Sequence, residues 1–166
     1  MTIEQESVCG VKEQGKPETM RRVVCSDDCM SETVSSRVNT IVQYVDDEFG
    51  RKAELFTPIV VRMDRRKCDE FDATKKPGVY VFIHEEYGYL KVGKHLLNAS
   101  KRALEHCRDN TNSKDGTIQL KHLLDSDKTY MLVYALQDLD FRHWVLALEY
   151  FLEKKLTLQI PAKRNG

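Results

Sequence analysis

The chain lacks any apolar run near the ~18 to 20 residues that a bilayer-spanning helix needs. Its opening, Met1-Thr2-Ile3-Glu4-Gln5-Glu6, also lacks the basic-then-apolar pattern of a secretory signal. These two absences set the expected location as cytoplasmic, with no membrane partner. Net charge is missing too, since 26 Lys and Arg balance 26 Asp and Glu, which excludes the strongly basic footprint of a protein that binds nucleic acid by charge alone. The balance hides an asymmetry, because residues 1–50 hold 5 Lys and Arg against 10 Asp and Glu, and the remainder holds 21 against 16. Cysteine is scarce and odd in number: Cys9, Cys25, Cys29, Cys68 and Cys107 read as reduced thiols, not a disulfide framework. Cys25 and Cys29 have no second Cys or His pair at a finger-like spacing, which argues against structural zinc. There is no internal repeat and no DNA-reading motif.

What is present is enough for one compact domain. A chain of 166 residues with 41% hydrophobic residues buries roughly two-thirds of its unfolded surface on folding, so it needs no staple. Residues 1–30 are polar and without sustained period, and read as largely disordered. Ser31 then offers an N-cap, Val34, Val38, Ile41, Val42 and Val45 fall on one helical face, and Gly50 is placed to end the helix. Pro58-Ile59-Val60-Val61 reads as one strand before a charged loop. Gly78-Val79-Tyr80-Val81-Phe82-Ile83 and Tyr89-Leu90-Lys91-Val92 read as a hairpin around Glu85-Glu86-Tyr87-Gly88. Asn98 can cap a helix to about Asp109, Ile118 to Leu124 suggests a short helix, Tyr130 to Leu136 a central strand, and Phe141 to Leu156 a long helix. The pattern predicts an α+β fold with a small three-stranded, mainly antiparallel sheet flanked by helices. The division is a disordered 1–30, an accessory helix and strand over 31–74, and the main domain over 75–166.

Polar residues recur on the hairpin and its helix where a plain core does not need them. Tyr80 and Lys91 fall on adjacent strands, His95 follows at the strand-to-helix turn, and Arg102 and His106 share a helical face at an i, i+4 spacing. Two readings stay open from the residues alone: a convergent polar site, or a core tyrosine beside a solvated face. Glu149 has apolar neighbours one turn away in Val145, Leu146 and Leu152, yet Arg142 and Glu153 share its side, so periodicity leaves it half-buried or solvated.

Gly78-Val79-Tyr80, ten residues, then Lys91-Val92-Gly93, then a helix carrying Lys101-Arg102 and a later helix carrying Glu149 resembles the GIY-YIG nuclease superfamily over residues 75–166. The family's second motif begins with Tyr where this chain has Lys91, with Tyr89 two residues earlier on the same expected strand face. Some restriction-enzyme members are similar in placing Lys there with a His nearby. The resemblance implies a metal-dependent endonuclease that hydrolyses DNA. Tyr80 would be the general base, helped by Lys91 because a free phenol titrates near 10. Arg102 would clamp the phosphate with its planar donors. Glu149 would hold one divalent cation, Mg²⁺ or Mn²⁺, at the leaving group, and His95 would bond Tyr80 or the attacking water. The family's late Asn matches Asn165 only loosely.

Expected nucleic-acid contacts are Lys94, His106, Arg62, Arg65 and Arg66, although a basic run such as Arg62 to Lys67 is often merely solvated. The acidic N-terminal helix either pairs two chains into a homodimer or packs on the nuclease body. The alternative reading is a catalytically inactive fold of the same type that binds nucleic acid or a protein partner.

Overall fold

The computed structural model describes residues 23–25, 30–63, 72–108, 111–123 and 126–161. It is an α+β protein in which a five-stranded mixed sheet lies between two helical layers. The first strand, β1 (Val24–Cys25), falls in the segment whose sequence reads as disordered. Helix α1 (Glu32–Phe49) starts where Ser31 Oγ accepts the Val34 amide and ends at Gly50, whose φ of 50° is the left-handed conformation that glycine tolerates. All five valine and isoleucine positions of its periodic face are buried. Strand β2 (Phe56–Arg62) follows a short 3₁₀ segment.

The next elements are β3 (Gly78–His84), β4 (Gly88–His95), α2 (Ala99–Arg108), α3 (Leu120–Leu123), β5 (Thr129–Leu136) and α4 (His143–Lys155). Sheet order is β1-β2-β5-β3-β4, with β5 central and buried along its whole length. The three-stranded expectation is corrected here: β3, β4 and β5 form an antiparallel unit, but β2 pairs antiparallel with β5 over seven residues and β1 adds parallel to β2. The segment expected as an accessory helix and strand thus supplies β2 to the same sheet, and the segment before it supplies β1. The physical reason is that a seven-residue apolar strand stays unsatisfied in isolation and pairs with the open edge of β5.

Strand alternation divides the core into two clusters. On one face, α1 and α4 cover Val79, Val81, Ile83, Val92, Leu132 and Tyr134. On the other, Ala99 and Ala103 of α2 and Leu120 of α3 cover Tyr80, Phe82, Leu90, Met131 and Val133. Among the described residues no helix is long and apolar enough to cross a membrane.

Candidate functional site

Residues paired across an antiparallel ladder point to the same face. The β3–β4 register pairs Tyr80 with Gly93, Phe82 with Lys91 and Gly78 with His95. Tyr80, Lys91 and His95 therefore share the α2 face, with Tyr80 and Lys91 as diagonal neighbours at roughly 7–8 Å between Cα atoms. Gly93 has a steric reason to be glycine. A Cβ there would lie 2.3 Å from the Tyr80 hydroxyl and 2.5 Å from Cζ, so the phenol lies flat over the β4 backbone because Gly93 carries no side chain. Tyr80 is 0% exposed and also meets Phe82 edge-on at 5.6 Å and the His106 ring at 6.2 Å.

A β-bulge decides where Lys91 points. The register shifts between Phe82 and Ile83, so that Ile83 faces Tyr89 while Phe82 faces Lys91, leaving Leu90 as the extra residue. This corrects the expectation that Tyr89 and Lys91 share a strand face. Tyr89 packs with the α1 cluster and donates its hydroxyl to the Arg37 carbonyl at 3.1 Å. Burial pushes its phenol above the ordinary value of 10.0, and its side chain lies on the sheet face opposite Tyr80 and Lys91. Lys91 is 7% exposed on the α2 face.

His95 has its Nδ1 committed. It accepts the amides of Leu97 at 3.2 Å and Asn98 at 2.8 Å, so the neutral ring carries its proton on Nε2 and faces outward as a donor. Its Nδ1 thus bonds the turn, which leaves Nε2 as the ring atom for the expected bond to Tyr80 or to the attacking water. Asn98 Oδ1 then accepts the Lys101 amide at 2.8 Å, capping α2 as its sequence position predicts. One turn on, Arg102 Nη1 donates to Glu105 Oε2 at 2.8 Å, and the guanidinium beside it holds the Glu105 carboxyl below the usual range. The pair is about 40% exposed, open enough for the guanidinium to exchange onto a phosphate. Glu105 is a residue that the motif reading passed over; its i, i+3 spacing from Arg102 was the available signal.

Glu149 and Lys94 stand apart from this group. Lys94 pairs with Val79, which points into the α1–α4 cluster, and its Nζ forms a salt bridge with Glu149 Oε2 of α4. The sheet therefore separates Glu149 from Tyr80, and the half-buried carboxylate that periodicity allowed is matched by an ammonium. Arg62 is opposite Tyr130, again on the α1–α4 face and at the far end of the sheet from His95. Arg65, Arg66, Lys67, Asn165 and Cys29 lie outside the described residues. Cys25 is exposed, and among the described residues no three His, Cys, Asp or Glu side chains gather as a metal site.

The structure thus brings Tyr80, Lys91, His95, Arg102 and His106 to one sheet face and its helix, and places Glu149, Lys94 and Arg62 on the other. No family model, no curated protein and no solved structure matches this chain.

Proposed function

We propose that the chain is an endonuclease that hydrolyses DNA phosphodiester bonds with groups on the α2 face of its β3–β4 hairpin. The observation that carries this reading is the in-register contact of Tyr80 with Gly93, which makes the two short motifs one object. In this reading the Tyr80 phenolate accepts a proton from water. Lys91, its diagonal neighbour, supplies the positive charge that a phenolate near neutral pH requires. The hydroxide formed attacks phosphorus as the bond to the 3′ oxygen breaks. Arg102 leaves Glu105 to grip two phosphate oxygens with its fork of donors, and the Nε2–H of His95 donates to a third.

Mg²⁺ or Mn²⁺ would stabilise the departing oxygen in such a reaction. Glu149 does not fit that role as it stands, because Lys94 neutralises its carboxylate and the sheet lies between it and Tyr80. Chelation tests whether a metal is used. A second reading is favoured by one observation, the enclosure of Tyr80, which keeps its hydroxyl from bulk water: the same face binds nucleic acid without cutting it.

Nicking of supercoiled plasmid by purified protein with Mg²⁺ or Mn²⁺, against an EDTA control, separates the two. The endonuclease reading expects cleavage that falls about 100-fold or more in both Tyr80→Phe and Arg102→Ala. Loss of cleavage in Glu149→Ala would bring Glu149 back as the metal ligand. Binding without cleavage from folded protein would establish the second reading.

A further inference from the structure

Between Glu86 and Glu105 there are eighteen residues with no acidic side chain, among them Lys91, Lys94, His95, Lys101 and Arg102. At the centre of this stretch the β4–α2 turn exposes two consecutive leucines, Leu96 at 39% and Leu97 at 67%. One exposed leucine is ordinary on a protein surface. Here the turn that carries the pair is fixed from both sides. His95 Nδ1 holds the Leu97 and Asn98 amides, Asn98 Oδ1 holds the Lys101 amide, and the Ala99 amide donates to the Lys76 carbonyl at 2.9 Å. The leucines are thus presented by a preorganised turn, which removes most of the ordering cost of seating them in a partner.

The surrounding charge indicates what that partner is. Lys94 is matched by Glu149 and Arg102 by Glu105, whereas Lys101 and Lys76 are exposed on the residues that anchor the turn and neither is salt-bridged among the described residues, Lys76 Nζ donating to the neutral Gln137 Oε1 at 3.1 Å. An apolar tip flanked by ammonium groups suits a surface that alternates phosphates with apolar stacked faces, as nucleic acid does. The turn also begins at His95, on the sheet face that carries Tyr80.

We propose that Leu97, supported by Leu96, is a wedge that enters duplex DNA at the base step beside the bound phosphate, while Lys101 and Lys76 hold the flanking backbone. The wedge positions the backbone for Arg102 and His95 and takes no part in the chemistry. The inference rests on the nuclease reading for the location of the bound phosphate, although its test requires binding alone.

The test measures fluorescence of a short duplex containing 2-aminopurine, with the full chain in EDTA so that no strand is cut, and compares wild type, Leu97→Ser and Leu97→Met. An anionic phospholipid vesicle is the second probe. Wild type and Leu97→Met are expected to bind and to raise the fluorescence about twofold or more as the base unstacks. Leu97→Ser is expected to bind about tenfold more weakly, the factor for returning a leucine to water, with no rise. An equal rise in wild type and Leu97→Ser overturns the wedge and leaves the nuclease reading standing. Absence of DNA binding by folded wild type overturns both. Leucine-dependent binding to vesicles, with DNA binding unchanged in Leu97→Ser, overturns the wedge in favour of a membrane contact.

Discussion

The two faces of the sheet are built on different terms. The α1–α4 face is closed by two long helices over valine, isoleucine and leucine together with Tyr130 and Tyr134, and Arg37 and Lys94 on it meet fixed partners. Arg37 reaches the carbonyls of His84 at 2.5 Å and Glu85 at 2.7 Å, and Lys94 meets Glu149. The α2 face is covered by shorter helices, α2 contributing Ala99 and Ala103 and α3 Leu120, and it contains Tyr80, Lys91 and an unsubstituted Gly93. Both faces bury tyrosine, but burying a lysine costs stability that an aliphatic side chain would not. The contrast teaches that one side of this sheet holds the fold together while the other carries the polar groups from which a site can be made.

The largest effect belongs to the aliphatic side. Leu148 of α4 is fully buried, and Leu148→Ala is expected to cost about 2–5 kcal/mol of stability in urea unfolding, through lost burial and the cavity left behind. A loss well under that range would mean that α4 does not seal its face.

Gly93→Ala sharpens the contrast from the other side. Its new Cβ would meet the Tyr80 ring, with little room for a buried phenol to give way, so about 1–3 kcal/mol of overpacking is expected. Combined with Tyr80→Leu, which empties that space, the two costs should be clearly less than additive. Full additivity would show that Tyr80 does not lie over Gly93 in solution.

A smaller effect concerns the hairpin tip, where His84 is 3% exposed and its Nδ1 accepts the amides of Glu86 at 3.1 Å and Tyr87 at 3.4 Å. Burial pushes its imidazole below the ordinary 6.5, with Lys128 and Arg37 acting the same way and Glu86 and Glu85 opposing them. As pH falls below 6.5 the unfolded chain takes up this proton before the native one does. Stability from His84 is therefore whole above 6.5 and is lost as pH falls through the lowered native value. Urea midpoints measured from pH 7.5 to 5.0, an interval of about 2–3 units around the reference histidine value, should fall less steeply in His84→Gln than in wild type. Equal slopes would count against a neutral, amide-bonded ring. The smallest effect is expected at the exposed Glu86–Lys128 pair, 2.5 Å apart, where Glu86→Gln should leave the urea midpoint essentially unchanged because water screens both charges.

Much of the fold was legible where local chemistry agrees with tertiary packing. Ser31 and Gly50 bound α1 as their capping chemistry dictates, Asn98 caps α2, and the apolar run before Gln137 is the central strand. The sheet's full width was less legible, because the pairing of β2 with β5 joins residues 68 to 80 positions apart and neither strand's pattern names its partner. The site was partly legible for a similar reason. The strand pattern placed Tyr80 and Lys91 on neighbouring strands, but the bulge at Leu90 turned Lys91 away from Tyr89. Simple period-2 alternation contains no signal for such a shift. Glu149 was unreadable in another way: helical periodicity gives its depth on α4 and not which sheet face α4 covers.

The most direct test of the division between the faces is an amide NMR map of the full chain titrated with a short DNA duplex in EDTA. The largest shifts are expected between Lys91 and His106, with α1 and the buried positions of α4 unmoved. Shifts centred on α1 and α4, with the 91–106 stretch silent, would contradict that division.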